Sequence, residues 1–93
     1  MTTRITQTKL ETLCRRINEQ TRSPLEPWAK DDNGKYVAQI GNYHICGAYG
    51  GVSLHRMENE SGGEYDVLHS GYTTKRDLYE RMHAFLIGLR TAA

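Results

Sequence analysis

The chain has 93 residues, of which 38% are hydrophobic and 25% are charged, and its formal net charge is +1. This length and composition predict one globular domain over residues 1–93. The near-neutral charge excludes a bulk attraction to nucleic acid or to a membrane surface, and no apolar run approaches the ~20 residues that a membrane span needs. The first residues lack the apolar centre of a secretion signal. Cys14 and Cys46 are therefore expected to be reduced thiols in a cytoplasmic protein.

The first predicted element is a helix from Ile5 to Gln20. Thr2, Thr3 or Thr6 is expected to cap it, and it ends before Pro24 because a residue that precedes proline avoids the helical region. One apolar stripe with helical spacing runs along it, made of Leu10, Leu13, Cys14 and Ile17.

Turn residues divide the next forty residues into short antiparallel strands. Asn33-Gly34 suits a turn between strands at Trp28–Lys30 and at 35–40. Gly41-Asn42 is expected to turn the chain into the next strand, and Gly50-Gly51 to form the following two-residue hairpin turn.

These turns sort the strand residues into two faces, since side chains alternate along a strand. The predicted core face holds Tyr36, Ala38, Ile40, Tyr43, Ile45, Tyr49, Val52 and Leu54. The opposite face, here called the outer face, holds Val37, Gln39, His44, Cys46, Ala48, Ser53, His55 and Met57. In this register Cys46 lies opposite His55, and Met57 lies opposite His44.

The C-terminal third predicts one more strand and a second helix. The strand covers Glu64 to His69, and Thr74 caps the helix with Asp77 in the capping-box position. Leu78, Met82, Phe85, Leu86 and Leu89 form the apolar stripe of this helix. The predicted fold class is α+β: an antiparallel meander of three to five strands, flanked by an N-terminal and a C-terminal helix in a two-layer sandwich.

The outer face has almost no charge, although a solvent-facing sheet normally shows charged residues. We therefore expect a homodimer, or a larger even homo-oligomer, joined through this face or through the edge of the meander. A monomer with a mildly polar face is the alternative. Trp28 is expected to close one end of the core, with a role as a binding anchor as the alternative.

Three side chains on the outer face carry groups that can bind a metal or act as a nucleophile. Cys46, His55 and His44 suit zinc or a softer metal, but no CxxC or HxxxH spacing supports such a site. A Cys46–His55 nucleophilic pair lacks an orienting acid and an oxyanion site. We therefore expect no metal, no cofactor and no enzymatic activity.

Nucleic-acid or nucleotide binding is the alternative function. Tyr49, His55 and Arg56 lie near the glycine-rich tip, where an anionic ligand such as a nucleotide would fit. The order helix, strands, helix equals that of the double-stranded-RNA-binding domain, which binds through basic residues at the start of its last helix. Here Lys75 and Arg76 occupy that position, and two charges are few for a phosphate-tracking surface.

Several blocks between Leu13 and Leu89 resemble small accessory proteins of tailed bacteriophages and prophages. They are Ile17–Glu19, Ser23–Leu25, Gly41–His44, Gly47–Val52, Leu54–Met57, Lys75–Tyr79 and Met82–Phe85. The resemblance implies a protein of the host cytoplasm that binds a host or phage component, and some such proteins block host defence. The residues expected to bind are Trp28, His44, Cys46, Tyr49, Ser53, His55, Arg56, Met57, Lys75 and Arg76.

Overall fold

The computed structural model describes residues 4–92, and it confirms the predicted α+β class and the order helix, antiparallel strands, helix. The elements are α1 (Gln7–Thr21), β1 (Trp28–Lys30), β2 (Tyr36–Ala38), β3 (Tyr43–Ala48), β4 (Gly51–Met57), β5 (Glu64–Asp66) and α2 (Lys75–Ala92). The last strand is therefore shorter than predicted. Within residues 4–92, neither helix combines the length and the apolar character needed to cross a membrane.

Both helices begin at the predicted threonine caps. The Thr6 side chain accepts a hydrogen bond from Lys9 N at 3.2 Å, and Thr74 Oγ1 accepts one from Asp77 N at 3.1 Å. The other two candidate caps of α1, Thr2 and Thr3, lie outside the described residues. These side chains satisfy backbone N–H groups that have no partner inside the helix.

The strands form two separate sheets, β1–β2 and β3–β4–β5. The predicted hairpin turn at Gly41-Asn42 is therefore wrong, because β2 does not pair with β3. Gly41 N donates to Met57 O and Met57 N donates to Asn42 O, each at 2.9 Å. These two residues thus extend the pairing of β3 with β4. The chain turns one residue earlier, at Ile40-Gly41, where Asn42 N donates to Gln39 O at 3.1 Å and Gly41 has a φ of 92°.

The β3–β4 hairpin turns at Tyr49-Gly50, one residue earlier than predicted. Both residues have positive φ, 52° and 74°, as a primed two-residue turn requires. The register consequently moves by two residues and keeps each side chain on its predicted face, so His44 lies opposite His55 and Cys46 lies opposite Ser53.

Gly51 is not available for the turn because another segment packs against it. A Cβ atom at Gly51 would lie 2.9 Å from Tyr72 C and 3.0 Å from Thr73 N. Thr73 pairs with Val52 through two backbone hydrogen bonds of 2.8 and 2.9 Å. The glycine therefore serves a close backbone approach beside β4.

The core lies between the two helices and one face of β3 and β4. It contains Leu10, Leu13, Cys14, Ile17, Tyr43, Val52, Leu54, Leu78, Met82 and Leu86. Both predicted helix stripes contribute to it. Three residues predicted on the core face are exposed instead: Tyr36 (61%), Ile40 (56%) and Tyr49 (96%). Tyr36 and Ile40 are exposed because β1 and β2 form a separate sheet, and Tyr49 is exposed because it lies in the hairpin turn.

The outer face is not the open surface that the sequence suggested. Ser53 and Met57 are buried within the chain, and Val37 belongs to the other sheet. The homodimer and its contact surface stay predictions, but Val37, Ser53 and Met57 do not belong to that surface. Trp28 is 44% exposed and stands outside the core cluster, where its ring covers Gly62. It does not close one end of the core.

Candidate functional site

Four side chains from β3, β4 and β5 converge on the outer face. His44, Cys46, His55 and Glu64 each offer one ligand-type atom, and these atoms lie within 4.8 Å of one another. We call this group the His–Cys–Glu cluster. Its members share a face because His44 pairs with His55, and Glu64 pairs with Met57 two residues further along β4.

Glu64 stands at the centre of the cluster. Its Oε1 lies 2.6 Å from His55 Nδ1 and 3.1 Å from Cys46 Sγ, and its Oε2 lies 3.1 Å from His44 Nε2. Burial acts to raise the pKa of Glu64, but hydrogen bonds from His55 and Cys46 and the charge of His44 outweigh it. The pKa of this carboxyl therefore lies below its ordinary value of 4.5.

Asn42 fixes the orientation of the His44 ring. Asn42 is fully buried, and its Nδ2 donates to Pro24 O at 2.7 Å. Its Oδ1 therefore faces His44 Nδ1, 3.1 Å away, and accepts the proton of that nitrogen. Nε2 of the same ring is left to face Glu64.

The Cys46 thiol is held in its protonated form. Burial is the main cause, and the hydrogen bond to Glu64 and the negative charge of that carboxylate act in the same direction; together they raise the pKa of Cys46 to about 12. A thiol with this pKa carries almost no thiolate at neutral pH, and the thiolate is the nucleophilic form.

Tyr49 and Tyr72 form an exposed aromatic pair beside the cluster, here called the tyrosine tip. Their ring centroids lie 5.6 Å apart at an interplanar angle of 63°. The Tyr72 ring also lies 6.0 Å from the His55 ring. Tyr49 is 96% exposed and Tyr72 is 39% exposed. The pair is set in place by the hairpin turn and by the pairing of Thr73 with β4.

The basic residues predicted to bind lie in two separate places. Lys75 and Arg76 begin α2 two residues after Thr73, and so they stand at the same end of the molecule as the tyrosine tip. Arg56 lies four residues along β4 from Val52, or about 13 Å. Its guanidinium covers the Tyr43 ring at 4.7 Å, and its Nε donates to Gly41 O at 3.1 Å. Arg56 therefore has a structural role, because its side chain packs on Tyr43 and binds the backbone of Gly41.

The other predicted binding residues also lie in separate places. His44, Cys46 and His55 come together as predicted, although their pairing differs. Ser53 and Met57 are buried on the same face, and Trp28 lies on the separate β1–β2 sheet.

Glu64 belongs to the site although it is not among the predicted binding residues. The alternation of Tyr65 and Val67 with Asp66 was a usable signal, because it places Glu64 and Asp66 together on one strand face. The partner strand and its register depend on the loop between Met57 and Glu64, which no local pattern determines.

A comparison of this chain with protein-family models, with curated proteins and with solved structures found no match.

Proposed function

We propose that this chain is a non-enzymatic accessory protein of a tailed bacteriophage. In this proposal it acts in the host cytoplasm by binding a host or phage protein through the tyrosine tip, and one consequence is inhibition of a host defence system. The observation that carries the proposal is the display of Tyr49, which is 96% exposed at the end of a paired hairpin. Tyrosine is enriched at interfaces because it offers a large contact area at low entropic cost.

The backbone at Tyr49 gives further support. Its φ of 52° lies in the left-handed region, which costs a non-glycine residue roughly 1–2 kcal/mol. Glycine or asparagine is the residue that a primed turn prefers. A tyrosine that is both strained and exposed gives little to the fold, and this favours a role for its side chain in binding.

The charges near the tip indicate the chemistry of the partner. Lys75 and Arg76 are the first two residues of α2, where cations oppose the helix dipole at a cost of roughly 0.3–1 kcal/mol each. Arg76 pairs with Glu80 at 4.0 Å, a weak exposed contact. Two cations at the same end of the molecule as two exposed tyrosines suit a partner surface that is acidic at its rim and apolar at its centre.

The state of the Cys46 thiol supports a non-enzymatic function. In the metal-free chain its pKa of about 12 leaves the group without the thiolate that nucleophilic catalysis needs.

Affinity capture from phage-infected host lysate tests the proposal. The test variant replaces Tyr49 and Tyr72 with Ala, and the control replaces two other exposed tyrosines, Tyr36 and Tyr65, with Ala. We expect at least one protein captured equally by the wild type and the control and at least tenfold less by the tip variant, which corresponds to about 1.4 kcal/mol of binding free energy. Equal capture by all three proteins contradicts the proposal.

Single-stranded nucleic acid is the second candidate partner. The observation in its favour is that two exposed tyrosine rings in edge-to-face contact lie at the same end of the molecule as Lys75 and Arg76. Bases stack on tyrosine while cations follow the phosphates. A mobility-shift assay in ~50 mM salt favours binding of this kind. A shift that the tip variant loses supports this candidate, and the absence of any shift removes it.

A further inference from the structure

We propose that the His–Cys–Glu cluster binds one Zn²⁺ ion through His44 Nε2, Cys46 Sγ, His55 Nδ1 and a carboxylate oxygen of Glu64. This proposal rests on the arrangement of these four side chains and is independent of the function proposed for the tyrosine tip.

The distances fit a tetrahedral site after small movements. Zinc bonds of about 2.0–2.3 Å place tetrahedral ligand atoms roughly 3.3–3.8 Å apart. In the structure the four atoms lie within 4.8 Å of one another, and the contacts of Glu64 range from 2.6 to 3.1 Å. The distant pairs need to close by about 1 Å, and the Glu64 contacts open by less than that. Rotation about side-chain bonds supplies such shifts on a fixed sheet.

The ring of His44 is already oriented as a metal ligand. The buried Asn42 accepts the Nδ1 proton, so a neutral imidazole has its lone pair on Nε2. That lone pair points at Glu64 Oε2, 3.1 Å away. Two lone pairs at this distance repel each other unless a proton or a cation lies between them. A second partner that fixes the ring tautomer is the usual companion of a ligating histidine.

The types of the donor atoms select the metal. Two imidazoles, one thiol and one carboxylate suit zinc, whereas Mg²⁺ and Ca²⁺ prefer sites built from oxygen atoms. Four protein ligands close the coordination shell, which is typical of a structural zinc site. On binding, the Cys46 thiol releases its proton to solvent and both histidines coordinate as neutral rings.

The site also has a path for the ion and a mechanical effect. The Glu64 side chain is 32% exposed, while those of His44 and His55 are 16% and 14% exposed, so an ion enters past the carboxylate. Glu64 belongs to the three-residue strand β5, and His55 and His44 belong to the long hairpin. A bound ion therefore ties the short edge strand to the hairpin.

Titration of the untagged, chelator-treated protein tests the proposal, with zinc against a chromophoric chelator and with Co²⁺ as a spectroscopic substitute. We expect one ion per chain, strong visible bands of four-coordinate cobalt and a near-ultraviolet thiolate-to-cobalt band. Zinc should also raise the thermal midpoint of unfolding. Three results would overturn the proposal. They are the absence of competitive zinc binding, a six-coordinate cobalt spectrum without the thiolate band, and binding of Cu²⁺ but not of Zn²⁺.

Two variants and one control assign the ligands. Cys46→Ser keeps a hydrogen-bond donor for Glu64 and should fold as the wild type does; we expect at least tenfold weaker zinc binding and no thiolate band. Glu64→Gln should weaken zinc binding similarly. His83→Ala, which removes an exposed histidine of α2, should bind as the wild type does. The assignment is overturned if Cys46→Ser binds zinc as tightly as the wild type, or if His83→Ala loses as much zinc affinity as Cys46→Ser does. Both outcomes decide the matter even if Glu64→Gln fails to fold.

Discussion

Asn18 joins α1 to the start of β3, and its removal should destabilise the protein strongly. Its Oδ1 accepts a hydrogen bond from Tyr43 N at 2.8 Å, and its Nδ2 donates to Tyr43 O at 2.9 Å. Both residues are buried, with 2% and 5% of their surfaces exposed. Asn18→Ala leaves the Tyr43 N–H without this partner, while the carbonyl keeps only the weak donor Cys14 Sγ at 3.2 Å.

An unsatisfied buried backbone group costs about 1–3 kcal/mol, and the lost side-chain volume adds to this cost. We expect Asn18→Ala to lower the free energy of unfolding by about 2–4 kcal/mol, out of the roughly 5–14 kcal/mol typical of a domain of this size. Urea unfolding followed by circular dichroism measures the loss. Gln20→Ala, an exposed change in the same helix, should stay within about 0.5 kcal/mol. A loss below that value in Asn18→Ala would refute the reasoning.

Three other substitutions test separate contacts. Gly51→Ala should cost about 1–3 kcal/mol in urea unfolding, because its Cβ meets the backbone of Thr73 at 3.0 Å; an unchanged midpoint contradicts that approach. Arg56→Ala should cost about 1–2 kcal/mol through its lost contact with Tyr43, yet leave partner capture unchanged; lost capture would restore it as a binding residue. Burial raises the pKa of Cys14 from 9.0 to about 12. The buried neutral thiol therefore contributes its full stabilisation at pH values well below 9, and this stabilisation falls as the pH rises above 9 because the thiol of the unfolded chain ionises. Between about pH 8 and 10 the wild type should lose about 1.4 kcal/mol more than Cys14→Ala; parallel profiles would contradict this.

The helices were predictable from sequence because their signals are local. The stripe of Leu10, Leu13 and Ile17 has the helical period, and each of these residues is buried. Thr6 and Thr74 act within three residues of the N–H groups that they cap. Such signals need no knowledge of the rest of the fold.

The hairpin faces were predictable although the register was not. Moving the turn from Gly50-Gly51 to Tyr49-Gly50 shifts the pairing by two residues, and a shift of two preserves the face of every side chain. The turn position itself depends on Thr73, which lies more than twenty residues along the chain and approaches Gly51. No pattern within the hairpin carries that information.

The site was predictable only in part for the same reason. His44 and Cys46 share a face by alternation, and His55 joins them through the hairpin. Glu64 reaches them only through the β4–β5 register. Asn42 pairs with Met57 beside His44 because the turn lies at Ile40-Gly41, one residue earlier than expected. Both contacts depend on tertiary pairing, which turn propensity alone does not determine.

The tautomers of two histidines test the central claim about the His–Cys–Glu cluster most directly. In zinc-loaded protein labelled with ¹⁵N, long-range proton–nitrogen spectra distinguish a protonated ring nitrogen from a metal-bound one. The structure predicts opposite states: His44 protonated at Nδ1 and bound through Nε2, and His55 protonated at Nε2 and bound through Nδ1. The His83 ring should not respond to zinc. The same tautomer in His44 and His55, or no response of either ring to zinc, would contradict the account.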